Sequence, residues 1–122
     1  MLYAVLCYNT ENTVFSWSKE HEQKVMDDLT AVQDKYVKAR KLGPVARLMP
    51  TTAATTLRKG EPPLVLDGPF AETREQLLGF YVINAADLQE VLGFAKELGA
   101  VNPGGAYEIR PLLMFDKGTL PA

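Results

Sequence analysis

Two segments of the chain are apolar at consecutive positions rather than at every second position. Residues 2–9 (LYAVLCYN) and residues 79–85 (GFYVINA) each place apolar side chains on both faces of an extended strand. A strand of this kind is covered on both sides, as in the middle of a sheet that lies between two layers. The pattern therefore predicts two central β-strands.

Two longer segments have apolar residues at helical spacing, and they predict amphipathic helices over residues 18–42 and 87–99. Ser18 and Asp87 are good N-cap residues, and Asp87 opens a capping box. Gly43-Pro44 is expected to end the first helix, because glycine and proline both disfavour its continuation.

The remaining predicted elements are short. Residues 45–49 and 107–113 have the composition of strands. Residues 55–58 and 64–66 are two strand-like pieces joined by a proline-containing turn, which predicts a hairpin. Thr73 to Gln76 has the form of a second capping box, so residues 74–78 are expected to form one helical turn.

The predicted order is strand, helix, strand, inserted hairpin, strand, helix, strand. Without the hairpin this is the β-α-β-β-α-β order of the ferredoxin-like α+β fold. In that fold the first and third strands lie in the middle of the sheet, and these are the two strands that are apolar on both faces. We expect one such domain over residues 1–122.

The predicted sheet has one face without a cover. Two helices can cover only one side, yet both central strands are apolar on both sides. A second copy of the chain is the simplest cover for the other face. The sequence therefore predicts a homodimer that packs sheet to sheet, with the inserted hairpin near the interface.

The composition argues against several partners. A chain of 122 residues with 47% hydrophobic content can form the core of one domain, and 13 Lys and Arg nearly balance 15 Asp and Glu. We therefore expect no nucleic-acid partner. The apolar opening at residues 2–7 is too short to cross a membrane and lacks the basic flank of a signal peptide. A soluble, cytoplasmic protein with no membrane partner is expected.

Metal and cofactor sites lack their usual residues. Cys7 is the single cysteine and His21 the single histidine, so the chain has too few ligands for a Cys/His zinc site. Cys7 lies within an apolar strand and is expected to be a buried, inert thiol. Carboxylate binding of Mg²⁺ stays open. No GxGxxG, P-loop or nucleophile-elbow motif occurs, and we expect no cofactor.

Asp67-Gly68-Pro69 directly follows the hairpin and has two interpretations. In the first it is a turn, where Asp67 accepts a backbone N–H two residues on, Gly68 takes a positive φ and Pro69 fixes the exit. In the second Asp67 is an acid held by a rigid turn and shielded from water by Phe70 and Tyr81. Such an acid could exchange protons near neutral pH.

Three further polar residues are candidates. His21 has the side chain suited to proton transfer near neutral pH; it is either a solvated residue of the first helical turn or the partner of an acid at the sheet edge. Arg47 and Arg110 come from two different predicted strands. An arginine on a sheet face has a carboxylate partner or an anionic ligand, and for Arg110 an ion pair with Glu108 is the simpler interpretation.

The segment DGPFAETREQ at residues 67–76, followed by Leu78-Gly79-Phe80-Tyr81, resembles the YCII-related proteins of the DGPF type, which are small bacterial proteins. The opening MLYAVLCY, the segment LGPVARLMPTTAATTLRKG and the segment GGAYEIRPL are similar to the same family. The resemblance implies ferredoxin-like subunits that pair into a dimeric α+β barrel. It also implies a small-molecule enzyme with a His and Asp pair, matched by His21 and Asp67, or a regulatory role linked to extracytoplasmic-function sigma factors.

Two functional hypotheses follow. In the first, the homodimer binds a small anionic or aromatic molecule in a cleft floored by the exposed sheet face, and Asp67 with His21 performs a cofactor-free lyase or isomerase step. The ligand-binding candidates are Arg47 and Arg110 for charge, Phe70 and Tyr81 for an apolar wall, and Arg74. In the second, the protein is a non-catalytic ligand-binding or protein-interaction module in which Asp67 is a turn residue.

Overall fold

A computed structural model describes residues 1–121 and contains six strands and three α-helices within that range. The elements in chain order are β1 Leu2–Asn9, α1 Glu11–Val14, α2 Lys19–Lys38, β2 Leu42–Arg47, β3 Thr55–Arg58, β4 Leu64–Asp67, β5 Gln76–Asn84, α3 Leu88–Val101 and β6 Ala106–Pro111. A 3₁₀ turn, Thr51–Ala53, lies between β2 and β3.

The main sheet has four strands in the order β2-β5-β1-β6, and every neighbouring pair is antiparallel. This is the ferredoxin-like strand order, with β3 and β4 inserted as a separate two-stranded sheet. The predicted α+β fold is confirmed. The central positions of β1 and β5 are confirmed as well.

The core lies between this sheet and the two long helices. Val5 and Ile83 of the central strands are fully buried, as are Val91, Phe94 and Leu98 of α3. From α2, Val25 and Leu29 join the same cluster. These side chains face the helices because alternate strand residues share a face and because helical residues three or four apart share a stripe.

The two predicted helix starts are confirmed. The Ser18 hydroxyl accepts the backbone N–H of His21 at 3.1 Å, and the Asp87 carboxylate accepts the backbone N–H of Glu90 at 3.0 Å. Each contact satisfies one of the N–H groups that have no partner within the first helical turn.

The predicted end of the first long helix is wrong, because α2 ends at Lys38 and Gly43-Pro44 lies within β2. Arg40 takes a left-handed φ of 58°, and the Lys41 N–H donates to the Tyr36 carbonyl at 2.9 Å. This is a Schellman-type helix end, which glycine usually provides. The sequence signal was missed because an arginine occupies the left-handed position.

The helical turn predicted at residues 74–78 is wrong as well. Strand β5 begins at Gln76, whose backbone pairs with Asn9 of β1. A capping box needs side chains that accept backbone N–H groups. Here the Thr73 hydroxyl donates to the Glu75 carbonyl at 2.5 Å, and the Gln76 amide donates to the Thr73 carbonyl at 2.7 Å. The same residues therefore close a turn before the strand.

Smaller differences concern element ends. Strand β2 begins at Leu42, β6 ends at Pro111 and α3 continues past Gly99 to Val101. The stretch between β1 and α2, which has no clear periodicity, contains the short helix α1. No helix within residues 1–121 is long and apolar enough to cross a membrane.

Candidate functional site

A cavity of about 190 Å³ lies between the helix-covered face of the sheet and the middle of α2. It is placed at the edge of the sheet where β1 and β2 end and where β5 and β6 begin. Its lining residues include Cys7, Val14, Trp17, Met26, Leu29, Gln33, Arg47, Gly79, Tyr81, Asn102 and Tyr107.

The strand register builds the floor of this cavity. Tyr107 of β6, Cys7 of β1, Gly79 of β5 and Arg47 of β2 lie opposite one another and form one row across the sheet. Gly79 is required in this row, because a Cβ atom there would lie 2.3 Å from the Ala46 carbonyl oxygen. The glycine thus allows β2 to approach β5 closely and leaves space between its neighbours.

The polar groups of the cavity are mostly paired with one another. The Gln33 amide of α2 donates to the Tyr81 hydroxyl at 3.1 Å. The Asn102 amide donates to the Tyr107 hydroxyl at 3.4 Å. The Cys7 thiol is 3.8 Å from the Val5 carbonyl oxygen, its acceptor. Side chains from α2, from the end of α3 and from three strands therefore meet at this place.

The titratable groups on the floor hold their protons at neutral pH. Burial raises the pKa of the Cys7 thiol to about 12 and that of the Tyr81 hydroxyl to about 12. Burial also raises the pKa of Tyr107 above its ordinary value. Removal from water disfavours the charged thiolate and phenolate forms. The floor therefore offers uncharged thiol and hydroxyl groups.

Arg47 lies at the edge of the cavity with its charge already paired. Its Nη1 atom is 3.3 Å from Glu22 Oε1 and 3.7 Å from Met26 Sδ. The Phe15 ring lies 5.8 Å from the guanidinium carbon, which is within the range of a cation–π contact. Both members of the ion pair are roughly half exposed to solvent.

Helix α1 and the residues after it form one side of the cavity, and Glu11 ties them to the rest of the chain. The Thr51 backbone N–H donates to Glu11 Oε2 at 3.0 Å, and the Thr51 hydroxyl contacts the same carboxylate. The Glu11 backbone N–H donates to Gln76 Oε1 at 2.9 Å. These contacts fix the position of α1 and of the residues after it, which include Val14 and Trp17 of the cavity lining.

Two of the residues proposed from the sequence, Tyr81 and Arg47, line this cavity together. The other ligand-binding candidates lie elsewhere. Phe70 is 75% exposed and lies 5.2 Å from the Arg58 guanidinium carbon. Arg74 is exposed.

Arg110 lies 3.4 Å from Glu108 as an ion pair, which agrees with the simpler interpretation. Its register partner is Ala4, so it lies on the sheet face opposite the cavity. The cleft was expected on that opposite face, whereas the cavity lies under the helices.

Asp67 is exposed at the end of β4, and within residues 1–121 its carboxylate has no hydrogen-bond partner. The expected bond from a backbone N–H two residues after Asp67 cannot form, because residue 69 is a proline and has no N–H, so other groups close the turn. The Gly68 N–H donates to the Ala54 carbonyl at 2.8 Å, and the Thr56 hydroxyl donates to the Gly68 carbonyl at 2.8 Å. Gly68 takes the expected positive φ, at 101°.

His21 is exposed in the first turn of α2, where its ring meets Trp17 edge-on with 4.7 Å between ring centres. Across the described part of the chain, no salt bridge joins it to Asp67. The pairing of these two residues, and their catalytic role, stay predictions. Nor does any group of three or more His, Cys, Asp or Glu side chains within residues 1–121 have an arrangement that could hold a metal ion.

Sequence reasoning missed Gln33, Asn102, Tyr107 and Trp17 as cavity residues. Gln33 contacts Tyr81, which is 48 positions away. Asn102 and Tyr107 are only five positions apart, but the cavity that they line also needs β1, β5 and α2, so no local motif marks these residues. Gly79 was the available signal, because a glycine within an apolar strand often marks a close backbone approach.

Comparison with known proteins identifies the family. The model of the YCII-related domain matches residues 1–116. An uncharacterized protein of Rhizobium meliloti (strain 1021) is 62% identical over 125 aligned positions, which cover the whole of both chains. Both matches extend over nearly the whole fold, including the cavity and the inserted hairpin, and the chain therefore belongs to the YCII-related family.

Proposed function

We propose that the protein is a homodimer that binds a small, mainly apolar organic molecule in the cavity beneath α2. The observation that carries the proposal is the cavity itself, with its apolar walls and its few uncharged polar groups. Ligand sites in proteins have this character: hydrophobic and aromatic walls with a small number of placed polar atoms.

The size of the cavity sets the size of the ligand. An engineered apolar cavity of about 150 Å³ in another protein accepts benzene. The cavity here measures about 190 Å³. A single-ring molecule with one small substituent therefore fits it, whereas a nucleotide or a fused-ring cofactor does not.

The chemistry of the lining favours binding over acid-base catalysis. Among the described residues, the lining contains no histidine and no carboxylate. Its thiol, the buried Tyr81 hydroxyl and the partly buried Tyr107 hydroxyl have raised pKa values and keep their protons. A general base at neutral pH is thus missing from the cavity. Binding without turnover, as in a ligand sensor, is the function this arrangement supports best.

The exposed hairpin supports the homodimer. Leu57 and Val65 form a pair on one face of the hairpin, and Leu64 and Leu66 lie on the other; all four are between 41% and 65% exposed. A two-stranded hairpin with apolar faces in water is marginal by itself. A second copy of the chain gives these side chains a cover.

The binding function is tested with toluene and a variant that fills the cavity. Met26→Trp places a larger side chain in the lining, and Thr30→Trp puts the same residue on the exposed side of α2 as a control. Toluene is expected to raise the melting temperature of the wild type and of Thr30→Trp, because a ligand that binds only the folded state stabilises it. The rise should be absent in Met26→Trp.

Two outcomes would contradict the proposal. Toluene could leave the wild-type melting temperature unchanged at millimolar concentration. Alternatively, the rise could persist in a correctly folded Met26→Trp variant, which would place the binding site elsewhere on the protein.

A further inference from the structure

We propose that the ligand of the cavity is an uncharged, single-ring molecule with an oxygen acceptor such as a carbonyl, which accepts hydrogen bonds from the Tyr81 and Tyr107 hydroxyls. This inference rests on the proposed binding function and adds the chemical class of the ligand.

The Tyr81 hydroxyl accepts its hydrogen bond from Gln33. A tyrosine hydroxyl can donate one hydrogen bond and can also accept. Gln33 donates to the Tyr81 oxygen at 3.1 Å, so the interaction uses the accepting side of the hydroxyl. Within residues 1–121 the Tyr81 proton has no acceptor of its own, although the residue is only 7% exposed. A buried donor without a partner is costly.

Tyr107 repeats this arrangement on the neighbouring strand. Asn102 donates to the Tyr107 oxygen at 3.4 Å, which again leaves the tyrosine proton free. The Asn102 carbonyl oxygen is buried and has no hydrogen-bond partner among the described residues, so it does not take that proton. Both hydroxyls belong to residues that line the cavity. The Tyr81 and Tyr107 hydroxyls can therefore each donate a hydrogen bond to an acceptor on the ligand.

The cavity lining does not suit a charged ligand. A carboxylate ligand would need a cation, but the Arg47 guanidinium at the cavity edge is already paired with Glu22 at 3.3 Å. A cationic ligand would need an anion, and the described lining has no carboxylate. Moving an unpaired charge out of water is far more costly than moving a carbonyl that receives hydrogen bonds. The ligand is therefore uncharged.

Three probes of nearly equal shape test this class: acetophenone, α-methylstyrene and benzoate. They place a ketone, a C=CH₂ group and a carboxylate at the same position of one ring. Dissociation constants are measured by calorimetry for the wild type, Tyr81→Phe and Tyr107→Phe. Tyr3→Phe is the matched control, because Tyr3 is a buried tyrosine on the same sheet face but does not line the cavity.

Acetophenone and α-methylstyrene should bind, and benzoate should bind at least about tenfold more weakly. Tyr81→Phe should weaken acetophenone binding by about three- to tenfold, as expected for one lost hydrogen bond. It should leave α-methylstyrene binding unchanged, and Tyr3→Phe should change neither. Tyr107→Phe gives a second, independent variant with the same expected pattern if Tyr81→Phe does not fold.

The inference and the proposed function fail in different ways. The inferred class is wrong if the folded tyrosine variants weaken the binding of acetophenone and of α-methylstyrene by the same factor, or if benzoate binds best. Binding in the cavity would still stand. If none of the three probes binds to the wild type, the proposed function itself is wrong.

Discussion

Among single residues, Thr56 has the role in the turn after the hairpin that the sequence suggests for Asp67. The Thr56 hydroxyl bonds to the Gly68 carbonyl, whereas the Asp67 carboxylate is exposed and has no hydrogen-bond partner within residues 1–121. The turn is therefore held by the threonine. The exposed carboxylate remains available to a group outside the chain.

Substitutions at these two positions should have unequal effects. Thr56→Val removes the hydroxyl and should lower the free energy of unfolding by about 1 kcal/mol. Asp67→Asn should change it by less than about 0.5 kcal/mol, as for other exposed positions. Urea unfolding of both variants measures the difference. A larger loss for Asp67→Asn than for Thr56→Val would show that the acid holds the turn.

Cys7 makes the free energy of unfolding of the protein depend on pH. Burial raises the pKa of its thiol from 9.0 to about 12. Between these values the unfolded chain loses a proton that the folded chain keeps, so the free energy of unfolding falls as pH rises above 9. The stabilising contribution is complete below pH 9 and is lost towards pH 12.

Cys7→Ala removes this titration. Urea unfolding between pH 8 and 10.5 should show a shallower decline for the variant, by up to about 1.4 kcal/mol per pH unit. The charge of the Cys7 thiolate also raises the pKa of Tyr81 and of Tyr107, so its removal brings the pKa of both tyrosines closer to the ordinary value and makes the decline of the variant shallower still. Parallel declines would mean that the thiol is exposed to water in the folded protein.

Among the elements, Glu11 links one side of the cavity to the 3₁₀ turn before β3 and to the first residue of β5. Its carboxylate bonds to Thr51 and its backbone N–H bonds to Gln76. Glu11→Ala should loosen α1, so acrylamide should quench the fluorescence of Trp17, the single tryptophan, more strongly. Glu20→Ala, at an exposed position in the first turn of α2, is the control. Equal quenching in the two variants would contradict the link.

The elements also show what the sequence could and could not predict. Periodicity and caps located both long helices, and the two-sided apolar pattern of β1 and β5 placed them in the middle of the sheet. The end of α2 was missed because Arg40 takes a left-handed conformation that usually belongs to glycine. The cavity was missed because its lining comes from segments far apart in the chain; Gln33 and Tyr81, for example, are 48 positions apart.

At the scale of the whole molecule, the distribution of apolar surface predicts a dimer. The hairpin exposes apolar side chains on both faces, and the residues after β6 include the exposed Leu113 and Met114. Sedimentation equilibrium at micromolar concentration should give twice the chain mass of 13.5 kDa. Val65→Lys should shift the protein towards the monomer, and Thr30→Lys on the outer side of α2 should not. A monomeric wild type would contradict the dimer.

We propose above that the cavity beneath α2 holds a small apolar ligand, and this proposal can be tested by direct observation of the bound molecule. The most direct measurement is a set of intermolecular nuclear Overhauser effects between toluene and the protein. We expect contacts from the toluene protons to the Trp17 ring, the Met26 methyl group and the Tyr107 ring, which line the cavity together. Contacts confined to the exposed hairpin leucines Leu57 and Leu64, or no contacts at saturating toluene, would contradict it.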